Sequence, residues 1–272
     1  MQLRKYLAAP FAALLLTGAS LANAAAPIDV TWNPSAAGIT TAAPFTFDNV
    51  LINTYAAIDI TGGGTAFSEQ GFARLTVFSN NGLPTSIPTA SFPGGTAYSL
   101  YISFTAAGTQ SPGIPSTGIF TSMNYSLLAA PGATTFTANA SGIFAPTGSP
   151  TITLATGTLN GPGSTSLTGT PPDNLLPAAN VLATFVPNAT FAGFFVNPNA
   201  SQLLDLSAAF TNTGSVITNI PLGGGNFRLS LNGGGGNATL ALAIPEPDTY
   251  GMLLAGLGLF AFIARRRGQK AA

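Results

Sequence analysis

The sequence predicts an all-β body of sandwich or jelly-roll type, from three observations. Apolar and polar residues alternate with period two through most of 27–244, the spacing of strands that bury one face. Clusters of Gly, Pro and Asn separate these segments and supply the φ > 0 positions that tight turns require. Hydrophobic residues make up 46% of the chain and charged residues only 6%, against about 25% in an ordinary soluble domain. A core can therefore form beneath a surface that is polar but uncharged. Disorder needs the reverse, low hydrophobicity with high net charge.

The elements follow in chain order. Candidate strands run over 45–50, 56–60 and 72–78. In 98–104, Tyr98, Leu100, Ile102 and Phe104 share one face, with Ser99, Tyr101 and Ser103 on the other. Ile119, Met123, Tyr125 and Leu127 repeat the pattern. Shorter strands are expected at 134–138, 151–155 and 181–186. Leu204, Leu206, Ala208 and Phe210 then oppose Asp205 and Ser207, and Phe227, Leu229 and Leu231 oppose Arg228 and Ser230. The glycine-rich run 232–237 reads as a hairpin turn, returning through a strand over 238–244. Turn clusters stand at 62–64, 80–82, 93–95 and 161–163. No amphipathic helix of useful length lies in the body. An outer-membrane barrel also alternates with period two. Against it, several of these strands look shorter than the ~9–11 residues needed to span a bilayer.

The two ends read as addresses. Residues 1–24 have the order of a secretory signal peptide: Arg4 and Lys5, an apolar stretch over 7–16, then small residues. Ala22-Asn23-Ala24 fits a signal peptidase, which places the cut before Ala25 and implies export through the Sec machinery. At the other end, Pro245-Glu246-Pro247 stops the last strand. An uncharged apolar run, 250–264, and the cluster Arg265-Arg266-Arg267 follow. As a helix this run would be about 22 Å long, short for a hydrocarbon core of ~30 Å. Snorkelling arginines and local thinning can close the gap. The arginines hold that end in the cytoplasm and leave the body outside. The chain thus divides into 1–24, a body over 25–244 and a tail over 245–272.

This tail resembles the PEP-CTERM sorting signal of Gram-negative bacteria. The residues that carry the resemblance are Pro245, Glu246 and Pro247, the apolar helix with Gly256 and Gly258, and Arg265, Arg266 and Arg267. It implies transient anchoring in the inner membrane, removal of the tail by an exosortase, and residence at the cell surface or in the extracellular matrix. A plain C-terminal anchor is the alternative. The body is similar, over 45–60, 98–104 and Phe194-Phe195-Val196-Asn197-Pro198, to the flocculation-associated PEP-CTERM proteins. That resemblance implies association with exopolysaccharide and a part in cell aggregation.

Residue types narrow the chemistry. There is no Cys and no His, so disulfides, thiolate chemistry, imidazole metal sites and His-based triads are excluded. Between residues 25 and 244 the only basic side chains are Arg74 and Arg228, against six acids, a net charge of −4. Nothing there can neutralise phosphates, so nucleic acid is not an expected partner. The glycine runs lack the Lys-Ser/Thr of a phosphate loop. No cofactor, metal or catalytic residue is expected. The rival reading is a polysaccharide-modifying enzyme, which would use Asp48, Asp59 or Glu69 as paired carboxylates. A second rival is a coat subunit that assembles through strand edges. Trp32, Tyr55 and Tyr101 are the candidate sugar-stacking aromatics; the blander role for each is to staple a sheet edge or the core.

Overall fold

Sixteen strands stand among the residues described by the computed structural model, which are 28–39, 43–85, 98–148, 152–170, 174–198, 204–211 and 216–242. In chain order they are β1 (Val30–Trp32), β2 (Phe45–Phe47), β3 (Asn49–Thr61), β4 (Ala66–Asn80), β5 (Leu83–Thr85), β6 (Tyr98–Gln110), β7 (Ser116–Pro131) and β8 (Phe136–Ala138). They continue as β9 (Phe144–Pro146), β10 (Ile152–Thr158), β11 (Gly163–Thr170), β12 (Asn174–Pro187), β13 (Phe195–Asn197), β14 (Leu204–Thr211), β15 (Val216–Gly223) and β16 (Asn226–Leu242). All belong to one compact unit, Ala26–Ala243. The predicted signal peptide and apolar tail lie outside the described residues.

The all-β expectation holds, but the strands do not divide into two facing sheets. Successive strands pair antiparallel from β3 through β4, β6 and β7 to β10 and β11, then β12, β14 and β16. β16 pairs back onto β3 along eleven registered positions. The ring closes. β10 and β11 act as one interrupted stave, because both lie between β7 and β12 and run in one direction. β14 and β15 run likewise along β16. The result is an eight-stave up-and-down barrel in which neighbours in space are neighbours in sequence. A jelly roll would need Greek-key crossings, and the described pairings contain none.

Alternation sets what faces inward. On β3 the inner row is Val50, Ile52, Thr54, Ala56, Ile58 and Ile60. Its outer row includes Leu51, Asn53, Tyr55 and Asp59. An eight-stranded barrel leaves an interior that side chains can fill, and these fill it. A lipid-facing barrel needs an apolar exterior band around a polar interior, whereas here the interior is apolar and the outer row mixes Leu51 with Asn53 and Asp59. The strands themselves are long enough, at 13 to 17 residues for β3, β4, β6, β7, β12 and β16. Polarity, rather than length, is the argument against lipid contact.

Two local expectations fail for identifiable reasons. Ile119 is 52% exposed, because the ladder slips at β7, from Ala107↔Ser122 to Gly108↔Phe120. The slip turns Phe120 inward and Ile119 outward. The glycine run is not a hairpin turn but the middle of the 17-residue β16. Only Gly233 in it has positive φ, at 81°, and it marks a bulge between Asn232 and Gly234. The hairpin is one strand earlier, at Gly223–Gly225 between β15 and β16, with φ of 83°, 62° and 79°.

One end of the barrel is stoppered. β13, β1 and β2 form a small sheet there, and Trp32 packs within 4.7–6.2 Å of Phe45, Phe47, Phe78, Phe194 and Phe195. The β8–β9 hairpin lies outside, across the wall. Phe136 stacks on Phe72 at 5.0 Å and on Tyr55 at 4.8 Å, forming a second apolar cluster with Tyr101, Leu128, Ala130 and Phe144.

Candidate functional site

Each sequence-derived candidate has a definite place. Trp32 is 3% exposed inside the stopper, its indole nitrogen buried without a partner among the described residues. Tyr101 is fully buried under the β8–β9 hairpin, where desolvation raises its phenol pKa. Tyr55 is half-buried against Phe136 and Phe144. Trp32 is thus remote from the two tyrosines; Trp32 and Tyr101 offer no open ring face, and Tyr55 is half-covered. Of the two roles open to these rings, sugar contact or core, burial places Trp32 and Tyr101 in the core. Their sequence neighbours gave no warning, because the residues that cover them come from other elements.

The carboxylates are separated as well. Asp48 and Asp59 fall at the start and near the end of one strand segment. Eleven residues of strand span roughly 36 Å, several times the ~5–10 Å between glycosidase carboxylates. Asp48 accepts a hydrogen bond from the Asn81 backbone N–H at 2.8 Å, fixing the β4–β5 turn. Asp59 stands on the outer wall in a bidentate pair with Arg228 of β16, at 2.5 and 2.7 Å. Arg228 also donates to the Ser141 carbonyl at 2.8 Å, and Ser230 donates to the Gly142 carbonyl at 2.9 Å. Together they fasten the tip of the β8–β9 hairpin. The guanidinium pKa rises through its hydrogen bond to Asp59.

Glu69 was grouped with these acids by sequence, yet it points the other way. On β4 it stands opposite Ile58 of β3 and Ala106 of β6, while Asp59 pairs with Ser68. The pleat sends Asp59 outward and Glu69 inward, so one sheet thickness divides them. Glu69 lines an internal cavity of about 30 Å³ with Thr54, Phe104, Phe120, Met123 and Phe210. The residue keeps some solvent contact, and partial burial, through desolvation, pushes its pKa up to about 7. No group of three or more His, Cys, Asp or Glu that could hold a metal occurs among the described residues.

The strand-edge rival loses most of its substrate to ring closure. β15 keeps a free edge beyond β16, but Pro221 interrupts its row of donors.

The sorting residues remain. β16 ends at Leu242 at the stoppered end, where the Ile28 N–H donates to the Leu240 carbonyl at 3.2 Å. No helix among the described residues is long and apolar enough to cross a membrane. The predicted spanning run, with Pro245, Glu246, Pro247, Arg265, Arg266 and Arg267, lies outside them, as do Ala22, Ala24 and Ala25. Residues 243–267 match the PEP-CTERM protein-sorting motif. This segment contains all six predicted sorting residues and begins immediately after β16. It identifies an exported protein directed to exosortase processing through a transient membrane-anchored stage. No curated protein and no solved structure gives a significant match to the chain.

Proposed function

We propose that the exported barrel is a non-enzymatic matrix protein that associates with exopolysaccharide and promotes cell aggregation. The observation that carries this reading is the chemistry of the barrel exterior. Many exposed outward positions carry hydroxyls and amides, among them Thr105 on β6, Asn124 on β7, Thr156 on β10, Asn180 on β12 and Asn237 on β16, interspersed with apolar residues such as Leu51 and Ile119. Such groups trade hydrogen bonds with water for hydrogen bonds with sugar hydroxyls at a net gain of about 1 kcal/mol each. Retention therefore comes from many weak contacts along a polymer. A weakly acidic body adds no long-range attraction to an anionic polysaccharide. The resemblance to flocculation-associated proteins supports the same reading, as does the separation of the three candidate carboxylates.

Deleting the gene is expected to disperse flocs while polymer secretion continues. Re-expression of Glu246→Ala should leave an unprocessed membrane form of higher mass and fail to restore settling. Unchanged floc size in the deletion strain would refute the aggregation role. Turnover of the producer's own polysaccharide by the purified chain, abolished in Glu69→Gln, would replace this reading with the enzymatic one.

A further inference from the structure

We propose that the outer face of β6, β7, β10 and the adjoining part of β12 is the contact surface for an uncharged, extended glycan chain. This rests on the reading of the barrel as a polysaccharide-associated protein, and it adds the face and the polymer class. Charge is unevenly distributed around the wall. Between Arg74 and Asp173 the sequence holds no charged residue, and after Asp173 none follows before β12 ends at Pro187. Neighbours in sequence are neighbours in space around this ring, so the stretch becomes one continuous side of it. The charged residues of the barrel strands, Asp59, Glu69, Arg74, Asp205 and Arg228, all stand on β3, β4, β14 and β16.

Pleat and register order what this side displays. Thr105, Asn124 and Thr158 stand directly opposite one another on β6, β7 and β10. The row continues onto β12, where the Thr184 hydroxyl lies 3.4 Å from that of Thr158. Two residues along, Ser103, Ser126 and Thr156 form a second row on the same three strands. Half-buried Phe72 of β4 stands at one end of it and exposed Val186 of β12 at the other. The side chains of Ser103, Thr105, Asn124, Ser126 and Thr156 make no hydrogen bond to other described residues, so their donors and acceptors stay available. Strands about 4.8 Å apart and rows about 6.7 Å apart set these groups on a grid.

A sugar ring carries hydroxyls around its edge and C–H groups on its faces. The two rows meet the first with hydroxyls and an amide, while Phe72 and Val186 meet the second. A carboxylate- or sulfate-bearing polymer is disfavoured here, because its charges would lose water and find no cation in return. A protein partner would be expected to seat on aromatic or Arg anchors. This side of the wall has no Arg, and no aromatic ring on its described residues is exposed.

Co-sedimentation of the full-length chain with neutral polymers (cellulose, chitin and mannan) and with calcium alginate beads tests this. Binding to a neutral polymer is expected, unchanged by about 0.5 M sodium chloride, with alginate left unbound. The triple variant Thr105→Ala, Asn124→Ala, Thr156→Ala should weaken binding about tenfold or more. Asn53→Ala, Ser207→Ala, Asn232→Ala, on β3, β14 and β16, should leave it unchanged. The milder pair Thr105→Val, Thr156→Val removes only hydroxyls and should weaken binding in the same direction, with circular dichroism confirming the fold. Wild-type binding in the first triple and the Val pair, or equal loss in both triples, would overturn the face while leaving the polysaccharide reading in place. Salt-sensitive preference for alginate would overturn the neutral class. A wild-type dimer that the first triple dissociates in sedimentation velocity would give the face to a second copy instead. Failure of the wild type to bind any of these polymers would remove this proposal and the reading beneath it together.

Discussion

The two ends of the barrel solve the same problem differently. A ring of strands must close its interior against water at both rims. At the end where β16 finishes, an aromatic stopper centred on Trp32 does this, and the cavity beneath it is about 20 Å³ and lined by residues such as Val50, Ile52, Ile102 and Leu127. The titratable side chain in that lining is Tyr125, whose hydroxyl donates to the Thr184 carbonyl at 2.8 Å. Burial, then the charge of Asp205, pushes its pKa up. At the far end the turns do the closing, and the lining includes Glu69. Apolar stoppering gives stability that depends little on pH. A buried acid gives stability that varies with it. The end leading into the sorting segment is the invariant one.

Three substitutions can break or sharpen this contrast. The largest effect is expected at the stopper. Trp32→Ala removes the ring at the centre of five aromatic contacts and should cost about 4 kcal/mol. Urea unfolding followed by circular dichroism measures it, and a loss under 1 kcal/mol would show that the stopper is not what holds that rim. An intermediate effect is expected near the other rim. A Cβ on Gly108 would collide with the Ile119 carbonyl oxygen and the Phe67 ring, so Gly108→Ala should destabilise by about 2 kcal/mol. If this rim is the softer one, part of that strain will relax and amide exchange will rise at 104–109 first. The smallest effect is a gain: at pH 8, Glu69→Gln should stabilise by about 1 kcal/mol once solvent screening at its partly accessible site is discounted. At pH 4.5 the gain should vanish. Equal Tm differences at both pH values would remove the contrast between the ends.

Legibility from sequence varied with the range of the interaction. Alternation on 98–104 and 206–210 named the inner rows of β6 and β14 directly, because a strand's two faces are set by its own residues. The bulge in β7 did not show, since a slip of one residue is decided by what the partner strand offers. The glycines at 233–236 misled for the same reason. Glycine suits a turn, yet it equally suits a wall where backbones pass closely: a Cβ on Gly236 would approach the Ala209 carbonyl oxygen to 2.6 Å. Trp32, Tyr55 and Tyr101 were legible as large rings but not as covered ones. Asp59 and Glu69 looked alike in sequence, while one residue of register separates an outer-wall ion pair from an interior acid.

By itself, then, the sequence determined the β class, the inner rows of several staves and the address at the C-terminus. The address was legible because its recognition depends on a contiguous order of Pro-Glu-Pro, apolar run and arginines. Only the tertiary structure decided that the sheet closes on itself. Closure rests on β3 meeting β16, seen in the Asp59–Arg228 pair at a separation of 169 residues. No local pattern encodes whether two such distant strands meet across a ring or lie in separate sheets. The choice belongs to the twist and stagger accumulated over eight staves.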